Sequence, residues 1–262
     1  MLRKGSRVIS LTPTKLRDFL TCPQMYKLRH VDKAGTDSNL AALSFGRSLH
    51  AALEELHSIN NDHSVKNSTE SEQLLKRHWE SGAYSDGKES EAFFAKGCEA
   101  LRRYMDTSST SAGQTLGTEV FMSRVINLKN LRVKLGCKAD RVILQKDGTL
   151  EVLDYKTNVS GRLPTAESLA SDLPNFLYYL LARICYPDHR NIRVSQLNVL
   201  TLLKVEVDYE QTQIVSNKKK LVEQICSFAS SEFSPSPSEA CAWCHVQDFC
   251  PLFNEEVDID SL

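Results

Sequence analysis

The stretch Gly136-Cys137-Lys138-Ala139-Asp140-Arg141, followed by Leu150-Glu151-Val152-Leu153-Asp154-Tyr155-Lys156-Thr157, decides how this chain reads. Residues 131–144 and 149–156 have the pattern of two strands joined through Lys146-Asp147-Gly148. Side chains two apart on a strand share a face, so Asp154 and Lys156 point the same way. A two-residue Asp147-Gly148 turn would set Asp140 opposite Tyr155, on the face away from Asp154. A three-residue loop with Gly148 left-handed sets Asp140 opposite Asp154 and Val142 opposite Val152. The turn sequence does not choose between them. The second register gathers both carboxylates and Lys156 on one face, and we adopt it for that chemistry.

Two adjacent carboxylates repel unless a positive charge lies between them. A hard divalent cation such as Mg²⁺ answers this, since it prefers carboxylate oxygens and keeps several waters. A neighbouring lysine can then orient or deprotonate an attacking water while the cation stabilises charge on a phosphate. That is the minimum apparatus for phosphodiester hydrolysis. The competing reading is a pair of surface salt bridges on a hairpin.

Outward from this hairpin, the chain patterns as a mixed α/β protein. Thr12 and Pro13 start a helix, as N-cap and first helical residue, with Leu11 and Leu16 as a hydrophobic staple. Pro23 places Cys22 at a helix junction. Residues 41–59 form a helix with an apolar stripe at Phe45, Leu49, Ala52, Leu53 and Leu56. Residues 58–73 read as loop, 74–105 as helix broken near Ser85-Asp86-Gly87, and 106–118 as a Ser/Thr/Gly linker. A strand at 119–127 precedes the hairpin. Helices at 165–186 and 211–232 flank a β-rich stretch at 192–207, and no internal repeat is visible.

Composition sets the bounds. The 262 residues carry 41% hydrophobic and 25% charged side chains and a net charge of −1, ordinary for a globular chain. No run approaches a membrane span and no apolar leader follows the basic start, so a cytoplasmic protein with no membrane partner is expected. Charge is uneven. Residues 1–33 hold eight Lys/Arg against two acids, and residues 239–262 hold six acids and no Lys or Arg. Two solvated surfaces of opposite sign explain this as well as a binding site does.

There are eight cysteines. Cys241, Cys244 and Cys250 make a C-x₂-C-x₅-C cluster behind the stiff Ser234-Pro235-Ser236-Pro237. Clustered cysteines in a cytosolic chain favour metal over disulfides. Tetrahedral sulfur ligation needs a fourth donor, and Cys22 or His245 qualifies. Local spacing alone does not separate zinc from an iron–sulfur cluster. Cys98, Cys137, Cys185 and Cys226 are isolated and read as packing residues.

Taken together, Gly136-x-x-x-Asp140-Arg141 and Asp154-Tyr155-Lys156-Thr157 resemble the core of PD-(D/E)XK nucleases, specifically the RecB-like branch. Further motifs fall in the same order. Phe45-Gly46-Arg47-Ser48-Leu49-His50 resembles the first motif of that branch, whose histidine is a metal ligand. Glu119 matches the acid of the first core strand. Asn175-Phe176-Leu177-Tyr178-Tyr179 resembles its Gln-x-x-x-Tyr helix, with Asn175 in place of Gln. Leu16-x-x-Phe19-x-x-Cys22-Pro23 and the C-terminal trio resemble the iron–sulfur subgroup, which includes the AddB nuclease domain and CRISPR-associated nucleases. The resemblance runs from about residue 9 to 253.

What it implies is a restriction-endonuclease-like mixed sheet flanked by helices, as a single RecB-like nuclease domain over 1–262. Within that domain it implies a helical part (9–118) carrying Cys22 and His50, a core (119–207), and a C-terminal helix with a Cys-rich tail (208–262). His50, Asp140 and Asp154 would bind Mg²⁺ or Mn²⁺, with the Tyr155 carbonyl a further ligand. Lys156 would position or activate water, and Glu119 would support the site. Cys22, Cys241, Cys244 and Cys250 would hold a [4Fe–4S] cluster as a staple, with Trp243 as its cover. Asn175, Tyr179 and Arg47 would contact DNA. The expected activity is single-strand exonuclease cleavage in DNA repair or recombination. There is no G-x-x-x-x-G-K-[ST] motif, so any helicase would be a partner on another chain. The alternatives are a non-catalytic DNA-binding module or a zinc-stapled interaction protein on the same fold.

Lys15, Arg17, Lys27, Arg29 and Lys33 could line a phosphate channel, and Tyr26, Trp79, Tyr178 or Trp243 could stack bases. Lys218-Lys219-Lys220 reads as an exposed helix face, and His57 and His63 as ordinary histidines.

Overall fold

The computed structural model describes residues 8–34, 40–58, 68–108, 113–128 and 130–254, so His63 lies outside the described residues. Thr12 caps α1 (Pro13–Thr21), its hydroxyl accepting from the Lys15 N–H. Extended Cys22 separates α1 from α2 (Pro23–Tyr26), as Pro23 requires. A π-helical turn (Lys27–Asp32) follows. Next come α3 (Leu40–His57), α4 (Ser68–Arg77) and α5 (Gly87–Ser108).

Six strands form one mixed sheet: β1 (Ile9–Leu11), β2 (Gln114–Leu128), β3 (Leu131–Leu144), β4 (Leu150–Lys156), β5 (Ile192–Asn198) and β6 (Lys204–Asp208). β3 is the spine. β2 pairs antiparallel along its whole length. On its other edge, β1 pairs parallel at Val133–Leu135 and β4 pairs antiparallel at Arg141–Leu144. β5 then runs parallel to β4. A parallel neighbour needs a crossover, supplied here by α6 (Ala166–Ser171) and α7 (Leu173–Cys185). α8 (Gln211–Ser230) follows β6.

The sheet is covered on both faces. α1, α7 and α8 bury Leu16, Phe19, Phe176, Leu181, Leu221 and Ile225 against Leu135, Val142, Leu150 and Val152. α3, α4 and α5 bury Phe45, Leu49, Leu53, Leu75 and Leu101 against Ile143, Leu153 and Tyr155. The α/β class and the mixed, helix-flanked sheet are therefore as expected.

Several boundaries differ. Residues 68–73 are helical, and the break before α5 spans 78–86 rather than the single turn near 85–87. Residues 114–118 belong to β2, not to a linker; a bulge between Thr115 and Gly117 broke the alternation there. The helix expected over 165–186 is two, because Asp172 caps a new start just before Pro174. Residues 192–207 fold back as the β5–β6 pair. β1 is too short to show a period of two in the sequence.

Candidate metal centre and cysteine pocket

Gly148 is left-handed (φ +82°) and Val142 pairs with Val152, the register that faces Asp140 with Asp154. Ladder pairing of β3 with β4 ends at Arg141–Leu153. Beyond it, the Tyr155 N–H donates to Asp140 Oδ2 at 2.6 Å. A carboxylate thus takes the place of a backbone carbonyl where the strands part. Asp154 lies beyond the same point, 2.5 Å from Lys156 Nζ. Across β3, Glu119 has φ +50°, costly for a residue with a Cβ. Its carboxylate contacts the Lys138 ammonium.

His50 arrives from α3. Gly46, one turn earlier, packs against the loop after β4. A Cβ there would meet Thr157 Oγ1 at 3.0 Å. Residues four apart share a helix face, so this close approach brings His50 Nδ1 to 3.3 Å from Asp140 Oδ1. His50, Glu119 and Asp140 present ligand atoms that all lie within 4.8 Å of one another.

The electrostatics are those of a crowded acid site. Burial pushes the Asp154 carboxyl up, Asp140's charge adds to that, and Lys156 and His50 oppose it. Burial disfavours the His50 imidazolium, but its hydrogen bond to Asp140 and the charges of Asp140, Asp154 and Glu119 outweigh this and raise its pKa. One imidazole and three carboxylates suit a hard divalent ion.

Behind the hairpin lies a buried hydrogen-bond chain that sequence reasoning missed. Burial, helped by Arg141, drives the His57 pKa down to about 3. Neutral Nε2 then accepts from Arg141 Nη1 (3.2 Å) and from the Tyr104 hydroxyl (2.7 Å). The Tyr155 hydroxyl donates in turn to Tyr104 at 2.9 Å. Arg141 also donates to Thr115 Oγ1 at 2.6 Å. Each element carrying a residue of the acid site (α3, β2, β3 and β4) therefore puts a second residue into this chain. Nothing in the sequence pattern linked His57 to Tyr104.

The expected DNA contacts sit elsewhere. Asn175 is buried, its amide donating to the Leu169 carbonyl and to Tyr209. Tyr179 is buried against Phe176 and Tyr209. Both side chains lie on the core side of α7, with Asn175 almost fully enclosed. Tyr178, one residue round, faces the acids: burial and the charges of Asp154 and Asp140 hold its hydroxyl far above the usual range. Arg47 is exposed and paired with Glu80 at 2.7 Å.

Of the other basic residues, Arg29 pairs with Asp18 at 2.9 Å and lines a groove with Lys156, Thr157, Asn158 and His245. Tyr26 is in the core, and Trp79 stacks on Tyr84. Lys218, Lys219 and Lys220 are exposed on α8.

Cys22, Cys241, Cys244 and Cys250 line one pocket, with Leu28 and Val246 packed beneath it. Tight turns stack the tail: the Cys244 N–H donates to the Cys241 carbonyl and the Gln247 N–H to the Cys244 carbonyl. The Ser236 N–H donates to Cys22 Sγ at 3.4 Å. Burial raises the Cys244 thiol, and the other three cysteines add to it. Trp243 is 67% exposed and lies outside the pocket lining, so it is no cover. Among the isolated cysteines Cys137 is buried, but Cys185 is exposed at the end of α7 and is not a packing residue.

A family model described as the PD-(D/E)XK nuclease superfamily matches residues 10–251. Among solved structures, one named "Putative exonuclease", from Eubacterium rectale, aligns with 100% of this chain and 97% of its own length. Its TM-score is 0.52 at 12% identity, a likeness of fold. The structure of SSO0001 aligns with 79% of this chain and 96% of its own length, at 14% identity and TM-score 0.38. No curated protein matches. Among the described residues no helix is long and apolar enough to cross a membrane.

Proposed function

The chain belongs to the PD-(D/E)XK nuclease superfamily, and from that premise we propose that it is a RecB-like, divalent-metal-dependent deoxyribonuclease folded as one domain. Its preferred action is exonucleolytic, on single strands, in repair or recombination. The observation that carries the reading is the convergence of His50, Glu119 and Asp140 within 4.8 Å, beside the Asp154–Lys156 pair.

His50, Glu119, Asp140 and Asp154 are the residues that would hold Mg²⁺ or Mn²⁺. When bound, such an ion neutralises charge on the scissile phosphate and lowers the pKa of water. The protein's own residues do the rest. The Lys156 ammonium donates a hydrogen bond that orients the attacking water, whose proton passes to solvent as oxygen adds to phosphorus. The P–O bond to one nucleoside breaks, and the departing oxygen is protonated from solvent. Asp154 keeps the Lys156 ammonium in place. The Tyr155 N–H fixes the Asp140 carboxylate, which leaves Oδ1 turned toward His50.

Cys22, Cys241, Cys244 and Cys250 would hold a [4Fe–4S] cluster that ties α1 to the tail. Sulfur donors suit such a group. All four line one pocket between α1 and the tail, which supports a four-sulfur ligand set. A helicase or repair protein on another chain would supply the strand.

The test is cleavage of end-labelled single- and double-stranded DNA by anaerobically purified protein with Mg²⁺ or Mn²⁺. Lys156→Ala and Asp154→Ala are each expected to lower the rate by at least about 10³-fold, with the melting temperature little changed. Cleavage that survives both substitutions, or none by cluster-loaded parent, refutes the nuclease and leaves a binding module.

A further inference from the structure

β2 pairs with β3 alone, and one face of that pair carries exposed side chains. Phe121 is 61% exposed and sits opposite Lys138. The ring lies over Gly136, where a Cβ would stand 3.4 Å from Phe121 Cζ. Glycine leaves room for the ring edge beside the strand, while most of the side chain stays exposed. Lys134 Nζ is 5.9 Å from the ring centroid, and Val125, opposite Lys134, is also exposed. Opposed residues share a face, so Phe121, Val125, Lys134 and Lys138 form one surface.

This surface runs into the acid site. Lys138 contacts Glu119 and feels the charge of Asp140. Phe121 is two residues from Glu119, about 7 Å at a strand's rise. An exposed aromatic between lysines, that far from a phosphate-cleaving centre, matches an unpaired nucleotide next to a scissile phosphate. Its base would stack on the ring, which takes any base, and its phosphates would meet the ammonium groups. Inside a duplex both faces of every base are covered, so only its two terminal pairs have a face to give the ring.

We propose that Phe121, lying on Gly136 and flanked by Lys134, is a stacking shelf that selects an unpaired nucleic-acid strand and leads it to the acid site. The proposal rests on the nuclease reading for what happens next, but binding alone tests it. The full-length protein would be titrated with labelled oligothymidylate and with a blunt duplex, in Ca²⁺, by fluorescence anisotropy.

Phe121→Ala is expected to weaken single-strand binding about tenfold and duplex binding less than twofold, and Phe121→Trp to restore it. Lys134→Ala is expected to lower the slope of log affinity against log salt by about 0.7 for the single strand. A melting curve unchanged from the parent shows that the exposed site has not unfolded the chain. An Phe121→Ala variant that binds like the parent, or loses both substrates equally, overturns the shelf, as does a parent with no affinity for single strands. Failure of cleavage with these binding differences intact would strike the nuclease reading and leave the shelf standing.

Discussion

The acid site and the cysteine pocket are built in opposite ways. The acid site is assembled from strand pairing and one helix, and its geometry is held from behind by hydrogen bonds among His57, Tyr104, Tyr155 and Arg141. In the cysteine pocket backbone N–H groups of Ser236 and Val246 reach the Cys22 and Cys244 sulfurs over a small apolar floor. Its tail has short turns instead of a sheet. The first site is held by the sheet itself, whereas the second would depend on the proposed cluster to hold it together. Preorganisation places function where the fold is already rigid, whereas a cross-link stabilises mainly by restricting the open chain.

Cys22→Ser should give the largest break in this contrast. Loss of one sulfur ligand is expected to remove the iron and its visible absorption and to lower the melting temperature by about 10 °C, as for a long-range cross-link of about 4 kcal/mol. Asp154→Ala, by comparison, should leave both unchanged. Equal thermal losses in the two variants would erase the distinction.

A smaller effect sharpens the rigid half. The folded-state pKa of His57 is about 3, below the usual histidine value near 6.5. The folded protein therefore binds fewer protons than the open chain between those values. Stability is fully present above about pH 6.5 and is lost as the pH falls toward 3, with a slope of up to about 1.4 kcal/mol per unit from this group. His57→Gln should flatten that slope in denaturant titrations at pH 4 to 7. An unchanged slope would mean that His57 is open to protons.

Much of the acid site was legible because its residues lie close in sequence on one hairpin. Asp140, Asp154 and Lys156 needed the period of two and a turn type; the chemistry of paired carboxylates chose the turn, and Gly148 is left-handed as that turn requires. His50 and Cys22 lie far away in the chain, and only the order of motifs tied them to their partners. A face was hardest to read where one residue decides it. Asn175 and Tyr179 are in the core and Tyr178 is at the site, because a helix rotates about 100° per residue and the Asp172 cap sets where the count begins. Thr115 and the start of β2 were hidden by a bulge. The His57–Tyr104 contact joins α3 to α5, and no local pattern encodes it.

The smallest effect probes how α3 is seated. Gly46→Ala places a methyl 3.0 Å from Thr157 Oγ1 and should weaken Mn²⁺ binding by a few-fold in calorimetry. Adding Thr157→Ala should recover most of that loss, as coupled neighbours do. Equal losses with and without Thr157 would place the strain elsewhere.

The span from Cys22 to Cys250 also sets an order of events at the ribosome. All six strands have been made once Asp208 is added. The stretch from there to Cys250 takes several seconds at about 5–20 residues per second. Until Cys241 is added, Cys22 has none of the three sulfurs proposed to join it. The residues of the acid site therefore all precede those of the tail, and whatever loads the proposed cluster acts on a chain whose strands are already complete.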